Sequence, residues 1–262
     1  MSQIYEPKGA AREYSPLALN YYKGCDHGCM YCYVPQILGK FSSDYKHSDV
    51  KIKDSVLTEI EASAKKFRNT DKQVLLSFTG DPYCNLNTET KTTREVLLIL
   101  LKYNIPVSIL TKGGTRCLED LDVFEKFNDR IKIGFTLTFD NEKQSLLNEP
   151  GAAVTHNRIE ALKTLHKNGI KTWVSIEPVV LPEQSLHLME MAMPYTDHFR
   201  IGKLNHYRNY EKGIDWTRFL DDSVKLMRKH DKPFYIKNDL FQFKNGTVIS
   251  ENERNMDYLN VK

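Results

Sequence analysis

The stretch Asn20–Pro35, NYYKGCDHGCMYCYVP, sets Cys25, Cys29 and Cys32 in the pattern C-x3-C-x2-C, directly after an apolar run from Leu17 to Tyr22 that reads as a strand. Three thiolates in one short loop can hold three irons of a cubane 4Fe-4S cluster, and the fourth iron is then left without a protein ligand. An open iron is a place for chemistry, so this loop, carried on the end of a strand, is the first candidate site.

Other uses of the same thiols differ in what they demand. A structural zinc site usually takes four Cys or His ligands with a second knuckle downstream. Here Cys84 and Cys117 stand apart from each other and from any closely spaced His pair, although His27 is available as a fourth ligand. A zinc-binding interaction module is therefore an alternative. Disulfides are the least favoured use, because the chain has five cysteines, reads as lacking a secretory leader and has none of the character of a small stapled domain.

The loop, with aromatic Tyr31 directly before Cys32, resembles the cluster loop of radical S-adenosylmethionine enzymes. The longer run AREYSPLALNYYKGCDHGCMYCYVP, Ala11–Pro35, is similar to the spore photoproduct lyase-like branch of that superfamily, often labelled DNA repair photolyases. The resemblance implies a 4Fe-4S cluster and S-adenosyl-L-methionine as cofactors, and an open partial barrel as the fold.

The rest of the sequence agrees with that expectation. Apolar runs at Leu17 to Tyr22, Val74 to Phe78, Val107 to Leu110, Ile131 to Leu137, Thr172 to Ile176 and Phe199 to Ile201 read as strands. Helical patterns separate them, with Val56, Leu57, Ile60, Ala64 and Phe67 on one face of the first, and others over Thr90 to Tyr103, Leu118 to Phe127, Val154 to Lys167, Glu183 to Met191 and Trp216 to Lys229. This alternation predicts βα units around a parallel sheet. The expected fold is α/β, a partial (β/α)6 barrel of parallel strands, an open TIM-like barrel, with Pro233 to Ile236 as a candidate further strand. A single domain over residues 1–262 is expected, and Gln36 to Asp49 reads as a loop.

With 37 basic and 34 acidic side chains the net charge is +3, too small to mark a dedicated nucleic-acid binder. The stretch from Lys203 to Lys237 is locally basic, Arg208 included, but acids are interleaved and a solvated helix face explains it. The longest aliphatic run, Val96 to Leu101, is too short to cross a bilayer, so no membrane role and a cytoplasmic location are expected.

Barrel enzymes collect their sites at the C-terminal strand ends. Those ends supply Thr79 and Asp81, Thr111 and Lys112, Thr138 and Asp140, Glu177, and Lys203 with Asn205. Any strand leaving a core ends in polar residues, so the pattern speaks more for architecture than for individual roles. The resemblance places a cofactor-binding lysine at Lys112 in ILTKGG, suited to the cofactor carboxylate, and a segment near the methionine amino group at FTGDPY, Phe78–Tyr83. There Gly80 allows close backbone approach and Thr79 or Asp81 can accept from the ammonium; a plain Gly-Asp-Pro turn is the competing account. Thr138 or Asp140 is suited to the ribose and Tyr31 to packing beside the adenine. Glu177 in SIEP is suited to cofactor or substrate, or to a bland pairing with Arg158 or another basic group.

The resemblance also implies a reducing partner of flavodoxin or ferredoxin type, and reductive cleavage to a 5'-deoxyadenosyl radical that removes hydrogen from a substrate. Substrate identity is less legible, nucleic acid being one open class. Tyr31 and Tyr33 match the tyrosines beside the cluster loop in spore photoproduct lyase. Where that enzyme carries its hydrogen-donating cysteine, this chain aligns Phe78; Cys84, a few residues on, is the candidate replacement or else a structural thiol. The chain is also shorter, so direct repair of a thymine dimer is not carried over from the resemblance as an expectation. A non-catalytic iron-sulfur electron carrier or redox sensor is the remaining alternative, for which no obvious fourth cysteine lies nearby.

Overall fold

The computed structural model describes residues 3–39, 45–205, 207 and 211–262; Arg208 and part of the Gln36 to Asp49 segment lie outside these. Seven strands, β1 (Leu17–Leu19), β2 (Val74–Leu76), β3 (Val107–Thr111), β4 (Ile131–Thr136), β5 (Lys171–Ile176), β6 (His198–Ile201) and β7 (Phe234–Ile236), form one sheet in sequential order. Every pairing is parallel. The sheet curls into a half-barrel, the open architecture expected, with the further strand at β7 present. Gln36 is not in a loop but in the short helix Val34–Leu38, which Pro35 starts within its first turn.

Strand periodicity explains how the two faces differ, because successive side chains point to opposite sides. The register sets Leu76, Ile109, Ile133, Val174, Phe199 and Phe234 on the outer face. They join the core with Leu97, Leu100, Leu162, Leu165 and Leu188 of the surrounding helices. The opposite face lines the lumen and is polar: Ser108, Lys132, Thr136, Trp173, Ser175, His198, Arg200 and Tyr235 are all buried. In one layer Trp173 stacks on His198 at 5.8 Å, its Nε1 donates to Ile109 O at 3.0 Å, and Lys132 lies 5.6 Å over its ring. Gly134 leaves room for that indole, since a Cβ there would fall 2.2 Å from it.

The lumen is filled from both chain ends. Tyr14 enters between Phe78 and Trp173, each 6.1 Å away, and Glu13 accepts from Tyr235 at 2.7 Å and from the Asn238 amide at 2.8 Å. Below, the tail closes the N-terminal end of the strands: Lys132 donates to Leu259 O at 2.7 Å, Arg200 to Met256 O at 3.1 Å, and Gln73 to Asn260 at 2.9 Å. With the bottom plugged, the C-terminal strand ends are left as the mouth. No helix among the described residues is long and apolar enough to cross a membrane.

Candidate functional site

The cysteine loop leaves β1 over this mouth and is gripped on two sides. On one, Lys23 and Lys51 exchange backbone hydrogen bonds of 2.9 Å, and the Cys25 amide donates to His47 O at 2.7 Å. Gly24 adopts φ +94 there, in the left-handed region, and a Cβ would meet His47 O at 2.6 Å, so glycine is needed. On the other, Met30 donates to Asn148 O and Gly151 to His27 O, both at 2.9 Å. Asp26 accepts from the Asn85 amide at 3.0 Å.

All three thiols are free, and each of Cys25 and Cys29 feels the next cysteine electrostatically. Burial pushes all three up, Cys29 to about 11, and the Lys112 ammonium pulls each back toward the thiolate. A metal completes that shift, since thiolate is the ligand form. Three clustered thiols beside a cation fit a 4Fe-4S cluster. Among the described residues no three His, Cys, Asp or Glu side chains converge on one ion. His27 does not face the thiols as a zinc ligand would: its Nδ1 lies 3.5 Å from Asp81 and its Nε2 3.4 Å from Arg116.

Lys112 follows β3 and sits 5.3 Å over the Tyr31 ring, so cation, aromatic and cysteines share one corner. Tyr31 is held by an unforeseen set of residues. Its hydroxyl donates to Glu149 and lies 3.1 Å from Thr138, which is itself fully buried. Glu149 in turn takes Arg158 at 2.5 Å, both side chains fully buried. Arg158 also donates to Ala153 O at 2.7 Å and Thr136 O at 2.9 Å. Arg158 therefore pairs with Glu149 and not with Glu177.

Asp81 has little left for a ligand. Its carboxylate accepts from Tyr83 N at 2.8 Å, Thr111 Oγ1 at 2.6 Å and Lys112 N at 2.8 Å. Burial works to raise its pKa, but His27 and these donors outweigh that and hold it below the ordinary value. The ammonium-accepting role is the one its geometry fits least. Gly80 does need to be glycine, but its close neighbour is Gly24 O, 2.8 Å from a built Cβ. Thr79 is fixed through its amide, 3.1 Å from Asn20 Oδ1, which also takes the Phe78 amide at 2.7 Å. Asn20 thus shapes the β2 end, a role nothing in its sequence context announced. Asp140 lies at the β4 exit and pairs with His187 at 2.8 Å.

Across the mouth, Glu177 takes Lys237 through both oxygens at 2.8 and 2.6 Å and accepts from Tyr14. Burial raises the Glu177 pKa against the pull of Lys237, while Glu177 and Asp239 raise Lys237 despite its burial. Asn205 reaches Asp239 and stands 3.5 Å from Glu177. Tyr33 is 39% exposed, donates to Phe78 O at 3.0 Å and feels the charges of Glu177 and Lys237. Cys84 is fully buried among core side chains, where burial pushes its thiol up to about 12. It suits the structural reading rather than hydrogen donation to a bound substrate.

A half-barrel of seven parallel strands with a three-cysteine loop on the first strand's C-terminal end defines a class of cluster-bearing α/β enzymes. The radical SAM superfamily model matches residues 19–193, and the chain belongs to that superfamily. Its members are enzymes that use a 4Fe-4S cluster and S-adenosylmethionine. The chain is 28% identical over 233 residues to an uncharacterized protein, MJ0683, of Methanocaldococcus jannaschii, covering 81% of this chain and 86% of that one. It is also 28% identical over 248 residues to an uncharacterized protein, ORF301, of Acidianus two-tailed virus, covering 87% and 79%. Among solved structures, spore photoproduct lyase complexed with dinucleoside spore photoproduct matches with TM-score 0.68 and 15% identity, over 90% of this chain and 78% of that one. Streptococcus suis SuiB bound to S-adenosylmethionine matches with TM-score 0.62 and 16% identity, over 89% and 53%. At such identities the likeness is one of fold.

Proposed function

We propose that this protein is a radical S-adenosylmethionine enzyme of the spore photoproduct lyase-like branch, abstracting hydrogen from a substrate still to be identified. The observation that carries the reading is the C-x3-C-x2-C loop on the C-terminal end of β1, with Lys112 of the β3 end 5.3 Å over the ring of Tyr31 in that same loop. Held by Cys25, Cys29 and Cys32, a 4Fe-4S cluster would supply the one-electron reduction of S-adenosylmethionine that members of this superfamily use to start radical chemistry. Lys112 meets the cofactor carboxylate, and Asp81 positions it by gripping the Lys112 amide. Tyr31, braced by Glu149, packs beside the adenine; Thr79 and Gly80 meet the amino group; Thr138 and Asp140 serve the ribose side. Glu177, neutralised by Lys237, faces the substrate with Tyr33, so the substrate side is rich in paired charge rather than uniformly basic.

A flavodoxin- or ferredoxin-like protein is the proposed reductant, in the cytoplasm, and a nucleic-acid component is one substrate class to screen. The test is anaerobic reconstitution followed by assay of 5'-deoxyadenosine after addition of S-adenosylmethionine and a strong reductant. Formation of that product, lost in Cys29→Ala, supports the reading. Bound zinc, or a stable cluster that never cleaves the cofactor, overturns it.

A further inference from the structure

The strap at residues 45–51 does more than hold the loop's backbone. Its His47 side chain reaches back to the last cysteine, placing Nε2 3.5 Å from Cys32 Sγ. The other ring nitrogen, Nδ1, is 2.6 Å from the Tyr45 hydroxyl, which fixes the ring's rotation. Tyr45 is itself braced, with Lys23 Nζ 6.0 Å from its ring centroid. The strap's attachment to the loop runs through the His47 carbonyl and the Lys23–Lys51 pairing, so the imidazole is not needed for it.

We propose that His47, steered by Tyr45, is a positioning residue that donates a hydrogen bond from Nε2 to the Cys32 thiolate and thereby raises the reduction potential of the bound cluster. This rests on the cluster reading above. A metal-bound thiolate offers lone pairs only, so whatever Nδ1 carries, the proton on the sulfur-facing side must be on Nε2. A donor aimed at a ligating sulfur draws charge from the cluster and favours the reduced, more negative state. Hydrogen bonds to the sulfurs are among the determinants of cluster potential, and partners of this kind tune a metal centre without ligating it. The same contact leaves the fourth iron to the cofactor, since it engages an iron's thiolate and not an iron.

The experiment compares wild type, His47→Phe, His47→Gln and Tyr45→Phe after anaerobic reconstitution with iron and sulfide, reading iron per chain and the midpoint potential by EPR-monitored titration. His47→Phe is expected to keep its iron and to lose about tenfold in the reduction equilibrium, a fall of about 59 mV for one electron. His47→Gln, which retains an N–H donor, recovers part of that fall. Tyr45→Phe, which leaves the imidazole in place but frees its ring, lowers the potential by less than His47→Phe. An unshifted potential in both Phe variants overturns the inference, as does loss of iron in both His47 variants, which marks a ligand or a structural support. A wild-type chain that takes no cluster overturns the proposed function and this inference together, whereas a normal wild-type cluster with unshifted variants overturns the inference alone.

Discussion

Arg158→Met tests whether the Tyr31 brace is a built charge network. The substitution removes the guanidinium that meets Glu149 at 2.5 Å and leaves a fully buried carboxylate with only hydroxyl donors, Tyr31 and Ser145. It also strips donors from Ala153 O and Thr136 O. Removing one partner of a buried ion pair costs about 3–5 kcal/mol. For a chain of this size each kcal/mol moves the midpoint by roughly 2–4 °C, so thermal unfolding of the metal-free protein should fall by about 6–20 °C. Replacing both partners by Met should cost less than the sum of the two single changes, because an apolar pair leaves no uncompensated charge. The reasoning is refuted by an Arg158→Met midpoint within a degree or two of wild type, or by strict additivity in the double variant.

Lys112→Ala should weaken S-adenosylmethionine binding without lowering the iron content, as isothermal titration of reconstituted protein would show; unchanged affinity would remove Lys112 from the cofactor site. His198 is buried, neutral and well below its ordinary pKa through burial and the nearby Lys132 and Arg200 charges. The unfolded chain therefore takes up a proton that the folded one does not: the contribution is fully present above about pH 6.5 and is lost, at about 1.4 kcal/mol per unit, as pH falls toward the depressed folded value. Urea unfolding of His198→Phe should show a correspondingly flatter decline from pH 6.5 to 5, and an unchanged slope would contradict the assignment. Gly134→Ala drives a Cβ to 2.2 Å from the Trp173 ring and should cost at least about 1–3 kcal/mol in chemical denaturation. A neutral Gly134→Ala would mean the indole does not occupy the lumen as described.

The outer, apolar face of the sheet was legible because β-strand runs of Val, Ile and Leu stand out against amphipathic helices. The cysteine loop was legible because its ligands lie within one short segment. The lumen was not. Lys132 and Arg200 occur in strands that read as apolar, and their acceptors, Leu259 O and Glu13 O, lie 127 and 187 residues away. Glu177 likewise finds Lys237 across 60 residues: a basic partner, Arg158 or another, was expected, but nothing in the sequence singled out Lys237. The helix Glu142–Asn148 went unseen because its apolar positions do not face the core: Leu147 is 80% exposed. Yet that helix delivers Glu149 to Tyr31. The readable signal, in retrospect, is the period of two in Lys132, Gly134 and Thr136, polar or small residues alternating with Ile131, Ile133 and Phe135.

The tail that closes the barrel floor also orders events during synthesis. A nascent chain released through residue 240 already carries all seven strands, but the Leu259 carbonyl that receives the Lys132 ammonium and the Asn260 side chain shared by Gln73 and Arg200 have yet to appear. Until they do, Lys132 lacks its acceptor, Arg200 has only part of its set, and water must take the missing places. Strand pairing can run ahead on the ribosome, but drying of the lumen, and with it the final rigidity of the mouth above, waits for residues 256–261.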